Sequence, residues 1–167
     1  MKNIAIFYAD STGSTKKIAD EISVDLEEIK EYNIKITGSE YMTDYENIIL
    51  GISTLENGKI QNDWKEIWEE FCKLDFTNKD VAIFAIDNQV LFPNNFVDAM
   101  GELYIQLKKS GANVVGFTSI KGYSFNKSKA LINNDKFVGL ALDSDNQSDL
   151  TSTRIENWVN ALKKDFF

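Results

Sequence analysis

The stretch Ile4-Ala5-Ile6-Phe7-Tyr8, continuing as Ala9-Asp10-Ser11-Thr12-Gly13-Ser14-Thr15, decides the fold. Five consecutive apolar residues without alternation mark a strand covered on both faces. The turn that follows is rich in Ser, Thr and Gly. It leads into Ile18, Ala19, Ile22 and Leu26, which recur at the spacing of one helix face. A buried strand running through a short turn into an amphipathic helix is the repeating unit of parallel sheets.

The unit recurs along the chain. A weaker strand is expected over residues 32–36, around Ile34 and Ile36. Another runs from Tyr45 to Leu50 and ends in Ile48-Ile49-Leu50. A helix beginning at Asn62 or Asp63 carries Trp64, Ile67, Trp68 and Phe71 on one face, and Val81 to Ile86 is a fourth strand. Pro93-Asn94-Asn95 is expected to open the next helix, because Asn suits the N-cap. Its inner face holds Phe96, Met100, Leu103 and Leu107, with Lys108-Lys109 in the last turn and Gly111 as the stop. Val114-Val115-Gly116-Phe117 begins a fifth strand, and Phe137-Val138-Gly139-Leu140-Ala141-Leu142 resumes it. The polar stretch between them, about 118 to 136, reads as an insertion in that strand. A last helix over 151–165 turns Ile155, Trp158, Val159 and Leu162 inward. The expected class is α/β: a doubly wound five-stranded parallel sheet with helices on both faces, formed by residues 1–167 as one domain. Trp64, Trp68 and Trp158 are expected in the core, Tyr8 is structural, and Cys72 is a buried or half-buried bystander.

Composition narrows the chemistry. Hydrophobic residues at 43% are enough for a packed interior. Asp and Glu number 26 against 18 Lys and Arg, a formal net charge of -8, which argues against nucleic acid as a partner. The same balance suits a partner with a basic docking face, or solubility alone. The absence of His removes Ser-His and Cys-His nucleophilic machinery and the usual imidazole ligands of zinc. Cys72 is the single cysteine, so no internal disulfide forms and a cytoplasmic setting is expected. Met1-Lys2-Asn3-Ile4 runs straight into a strand pattern, so neither a leader nor a membrane span is expected before it. The chemistry then falls to carboxylates, hydroxyls, backbone groups or a borrowed cofactor.

In doubly wound sheets a ligand sits beyond the carboxyl ends of the strands. Asp10-Ser11-Thr12-Gly13-Ser14-Thr15 lies there, and its amides and hydroxyls can converge on an anion at a helix N-terminus. It lacks the Gly-Lys-Ser/Thr ending of a P-loop, and an ordinary N-cap region would look the same. A phosphoacceptor receiver would need an Asp at the end of strand three, where Ile52-Ser53-Thr54 stands.

Taken together the motifs resemble the flavodoxins. The loop 10–15 is similar to that family's phosphate loop. Ile49-Leu50-Gly51-Ile52-Ser53-Thr54, Asn57-Gly58 and Gln61-Asn62-Asp63-Trp64 resemble its third strand and first flavin loop. Asp87-Asn88-Gln89, Phe92-Pro93, Asn95-Phe96 and Asp98-Ala99-Met100-Gly101 resemble the second. Gly122-Tyr123, Ser128-Lys129-Ala130, Phe137 to Asp143, Asp145-Asn146-Gln147, Leu150-Thr151 and Arg154-Ile155 look like the long-chain branch, so the resemblance covers nearly the whole chain.

The resemblance implies strand order 2-1-3-4-5 and one non-covalently bound FMN. It implies a low-potential one-electron carrier that is not itself an enzyme, alternating mainly between the one-electron and two-electron reduced forms of the flavin. Ser11, Thr12, Gly13, Ser14 and Thr15 would hold the phosphate, with Asp10 where Ser or Thr is usual and Ala9 where Gly is common. Lys16 would offset Asp10, or Asp10 would point away. Ser53, Thr54, Leu55, Glu56, Asn57 and Gly58 would form the first flavin loop. Leu55 stands where a stacking Trp is usual, and the Asn57 carbonyl would turn to accept from flavin N5–H. Phe92 would stack on the other face. Asn88 would lie near the pyrimidine edge with the Asp87 charge close by, and Asn95 and Asp145 would approach the ribose. Taken without the resemblance, Asn57-Gly58 is a plain turn, Phe92 covers the core edge, and Asn95 and Asp145 are loop or cap residues. Implied partners are a flavodoxin reductase or 2-oxoacid oxidoreductase as donor and nitrogenase reductase or radical enzymes as acceptor, with the carrier a monomer. A flavodoxin-like module that binds FMN weakly or not at all, and a flavin-dependent quinone reductase, are the alternatives.

Overall fold

In the computed structural model, which describes residues 3–167, the first apolar run is β1 (Ile4–Tyr8), buried along its whole length. It leads to α1 (Ser14–Asp25), then β2 (Lys30–Asn33) and the single-turn α2 (Ile34–Thr37). The central strand β3 (Asn47–Leu55) folds back through a 3₁₀ turn onto the short β4 (Lys59–Ile60), and α3 (Asn62–Cys72) follows. Then come β5 (Asp80–Ile86), α4 (Asp98–Lys109) and β6 (Asn113–Val115). Three two-residue strands form next: β7 (Thr118–Ser119), β8 (Leu131–Ile132) and β9 (Lys136–Phe137). The chain ends with β10 (Leu140–Leu142) and α5 (Thr151–Phe166). Met1 and Lys2, on which the reading of the leader began, lie outside the described residues.

The main sheet runs β2-β1-β3-β5 and is closed at its edge by two segments in line. β6 pairs with the start of β5, and β10 pairs with its end, all in parallel. These two segments are the fifth strand, so the expected order and the expected insertion are both present. The insertion makes its own antiparallel sheet, β7-β9-β8.

Strand side chains alternate between the two faces, and each face meets one helix pair. Ala5, Phe7, Leu50, Ile83 and Ala85 share a core with Trp64 and Phe71 of α3 and Met100, Leu103 and Leu107 of α4. Ile4, Ile6, Ile49, Phe84 and Leu142 share the other with Ile18 and Ile22 of α1 and Ile155, Trp158 and Leu162 of α5. Buried Trp64 also donates its indole N–H to the Gly51 carbonyl at 2.9 Å, pinning α3 to β3.

Four expectations are corrected. The second strand lies two residues earlier, because the Asn33 side chain caps Lys35 N at 3.0 Å and starts a helical turn. Ile34 is buried there, but Ile36 is 82% exposed. The helix expected at Pro93 starts at Asp98, and its cap is Val97 at φ 50, not Asn95. Phe137 belongs to the inserted sheet, and the fifth strand resumes only at Leu140. Trp68 is half-buried, whereas Trp64 and Trp158 are core.

Candidate functional site

The registers Tyr8↔Gly51 and Ser53↔Ile86 bring the ends of β1, β3 and β5 to one edge of the sheet. Loops 9–13, 55–58 and 87–97 leave from that edge, and the loop after β10 joins them through side-chain bonds given below.

The first loop is open to solvent: Ser11, Thr12, Gly13 and Ser14 are exposed, while Thr15 is buried. Gly13 is the N-cap of α1, at φ 89, and offers no side chain to the helix start. A Cβ on Gly13 would meet nothing within 4 Å. Among the described residues the amides of Ser11, Thr12, Ser14, Thr15 and Lys16 have no hydrogen-bond partner. Five unengaged N–H groups at a helix start form a positive concavity suited to a phosphate. Gln61 holds the loop from below: its Nε2 donates to Ser11 Oγ at 2.7 Å, and its Oε1 caps α3 through Asp63 N and Trp64 N. Ala9 is buried, and its amide continues the ladder to the Gly51 carbonyl, so no glycine is needed there.

Asp10 turns back on the loop, its Oδ1 accepting from Gly13 N at 2.8 Å. Lys16 does not offset it: Lys16 pairs with Asp20, and that bond holds its ammonium above the usual lysine range.

In the second loop Asn57 and Gly58 both lie at positive φ, 57° and 81°. Gly58 packs so closely on α4 that a Cβ would fall 2.7 Å from Asp98 Oδ2. Buried Thr54 accepts from Ala99 N at 3.4 Å, while Glu56 and Asn57 are exposed and Ser53 is half-buried. Leu55 lines an apolar groove of about 950 Å³ shared with Ile60, Trp68 and Cys72.

The third loop is held by carboxylates. Asp87, 8% exposed, accepts from Asn88 N at 2.8 Å and Val97 N at 2.7 Å, the two ends of the loop. Burial pushes its carboxyl up to about 7 against those two amides, and Asp143 and Asp98 add to the push. Asp143 is also covered from solvent, yet its carboxyl is held below the usual range. Burial raises it, but bonds from the side chains and amides of Asn146 and Gln89 outweigh burial. Burial also raises Asp98, which accepts from Lys129 N at 2.7 Å. The expected Asp87 charge is therefore turned inward. Asn88 is spent on the loop too: its Oδ1 accepts from Val90 N and Leu91 N, and its Nδ2 donates to Asp145 at 3.0 Å. Phe92 is half-buried and Asn95 lies beside Gly58.

Gln61, Gln89 and Asp143 were missed as site residues. Each lay inside a quoted motif, but their partners are 50, 54 and 54 residues away.

Comparisons with known proteins point to one family. The family model described as Flavodoxin matches residues 6–158. A flavodoxin of Nostoc sp. is 41% identical over 99% of this chain and 98% of its own, and one of Synechococcus elongatus is 41% identical over 99% of both. A crystal structure of Fusobacterium nucleatum flavodoxin bound to flavin mononucleotide is 38% identical, covers both chains completely and superposes with a TM-score of 0.95.

Proposed function

The chain belongs to the flavodoxin family, and on that premise we propose that it carries single electrons between redox proteins on one non-covalently bound FMN. The observation that carries the reading is the set of five unengaged amides at the start of α1, on a loop whose sequence and place are those of a phosphate cradle. The residues present fit the group: Ser11 to Thr15 would take the phosphate, Gly13 without a side chain would let it approach, and Gln61 would fix Ser11.

FMN, when bound, supplies the one-electron chemistry. The chain's own residues hold and surround it. Asn57 and Gly58 present a peptide whose carbonyl can turn at little steric cost, an acceptor for a ring N–H. Phe92 offers an aromatic face, and Leu55 excludes water without stacking. Asn88, Asn95 and Asp145 frame the remaining side, with Ser53, Thr54 and Glu56 shaping the first loop. Asp87 shapes the second from beneath.

A carrier of this family exchanges electrons with redox partner proteins. A flavodoxin reductase or 2-oxoacid oxidoreductase as donor, and nitrogenase reductase or radical enzymes as acceptor, fit a net charge of -8 that steers it to basic faces. We place it in the cytoplasm as a single-domain monomer, a setting that suits its lone thiol. No described helix is long and apolar enough to cross a membrane.

Equilibrium titration of the FMN-free protein, followed by stepwise reduction with dithionite, tests the reading. One FMN per chain and two separable one-electron steps are expected. A protein that loses FMN on gel filtration fails the reading, and steady quinone reduction by NADH without added reductase moves it to the enzymes. Leu55→Trp restores a ring over the flavin, and FMN affinity should rise by at most about tenfold, the worth of one aromatic stack. An unchanged dissociation constant would mean that residue 55 does not face the flavin.

A further inference from the structure

The apolar groove beside the first flavin loop shares only Leu55 with the residues that would hold FMN. Trp64 and Phe71 of α3 face the core, while Lys65, Trp68 and Cys72 follow one another at helical spacing along the groove. Leu55 and Ile60 of the β3–β4 hairpin line it too, and these two, like Trp68 and Cys72, are half-buried. The Trp68 ring is held against Phe71, with centroids 5.5 Å apart. The indoles of Trp64 and Trp158 donate to backbone carbonyls at 2.9 Å and 2.8 Å. The Trp68 N–H has no acceptor among the described residues, which leaves it as a donor for a bound molecule. A volume of about 950 Å³ is that of a site for a small organic molecule.

The charges around the groove are unevenly spent. Lys73 is engaged by Glu69 and Glu70, at 3.6 Å and 3.0 Å. Lys59, just before α3, and Lys65, near its start, are exposed and in no ion pair among the described residues. Glu102 of α4 is the remaining charged lining residue, half-buried and likewise unpaired. Lys59, Lys65 and Glu102 together leave one positive charge, which suits a monoanion. From Lys65 to Cys72 the helix rises about 10 Å. We propose that the groove binds a small amphiphile, with one carboxylate at Lys59 and Lys65 and an unbranched apolar body about 10 Å long laid over Trp68 toward Cys72. The inference is independent of the FMN reading, because neither the phosphate loop nor loop 88–97 lines the groove.

The probe is decanoate, titrated below its micelle concentration into the FMN-loaded protein at neutral pH. Decanoate should move the Trp68 indole N–H and Cys72 amide resonances, while butyrate, with the same head group, should leave Cys72 where it was. From hexanoate to decanoate, affinity should rise about fourfold per added methylene and then level off at dodecanoate, when the groove is filled. Decyltrimethylammonium, the same chain with the opposite charge, should bind about tenfold more weakly than decanoate. Replacing both lysines, Lys59→Gln with Lys65→Gln, should erase that preference and leave the fold intact, since both are exposed. An equal response to the two head groups overturns the proposal, and so does a Cys72 amide that ignores decanoate. Resonances that move with protein concentration instead would assign the groove to a second copy of the chain, which also overturns it. A protein that takes up no FMN defeats the cofactor reading alone, because the same titration runs on the FMN-free chain.

Discussion

Asp10→Asn should tighten FMN binding about tenfold and leave riboflavin binding where it was. The Asp10 carboxylate accepts from Gly13 N at 2.8 Å, inside the loop that would hold the phosphate. Asn keeps an acceptor oxygen for that amide, so the turn survives and only the charge is lost. Two like charges about 4 Å apart repel by about 1 kcal/mol in water and about 4 kcal/mol at an effective dielectric of 20. The loop is solvent-exposed, so the lower part of that range applies, and about 1.4 kcal/mol is tenfold in affinity. Lys16 supplies no compensation, because its ammonium is taken by Asp20. The gain should shrink with added salt, as screening would require of a repulsion through solvent. Parallel fluorescence titrations with FMN and riboflavin decide the matter. Equal changes for the two ligands would show a reshaped loop rather than a relieved repulsion.

What sequence could and could not disclose follows from the range of the interactions. β1, β3 and β5 were legible because a strand covered on both faces must be apolar at every position, which needs no knowledge of partners. The helices were legible from their inner faces for the same reason. The start of α4 was not. Asn95 is a good cap by local preference, but Asp87 takes the Val97 amide and the Pro93 carbonyl accepts from Asn126 N and Lys127 N. Those contacts hold residues 93–97 outside the helix and force Val97 into the left-handed region, a strain that no local pattern announces. The site divides in the same way. Its loops could be marked from short motifs, since a phosphate cradle is local. The use of Asp87 as a clip could not, because its burial and its like-charged neighbours come from elements brought together only by the fold.

The close approaches that the fold demands carry the largest stability cost. Gly139→Ala should destabilise the protein by about 3 kcal/mol, at the upper end of what overpacking a core usually costs. Gly139 lies just before β10, where the chain returns from the insertion to the sheet. A Cβ there would press into the Ile83 carbonyl, inside van der Waals contact, and sit 2.8 Å from Met100 Sδ. The Met100 side chain can yield. The Ile83 carbonyl cannot, because β5 is paired on both sides, with β3 and with β10. The strain must be relieved by moving β10, which pairs Leu142 with Ile86 and is followed at once by Asp143, the residue that holds Gln89 and Asn146. The damage therefore reaches the second flavin loop. Urea unfolding should show a lower midpoint at an unchanged slope, with a thermal midpoint down by roughly 6 to 12 °C for a chain of this size. FMN should be bound more weakly and should recover part of the lost stability in proportion to its concentration. An unaltered urea midpoint would mean that β10 can shift without cost, and that the fifth strand is not the rigid support for the rim that its pairing implies.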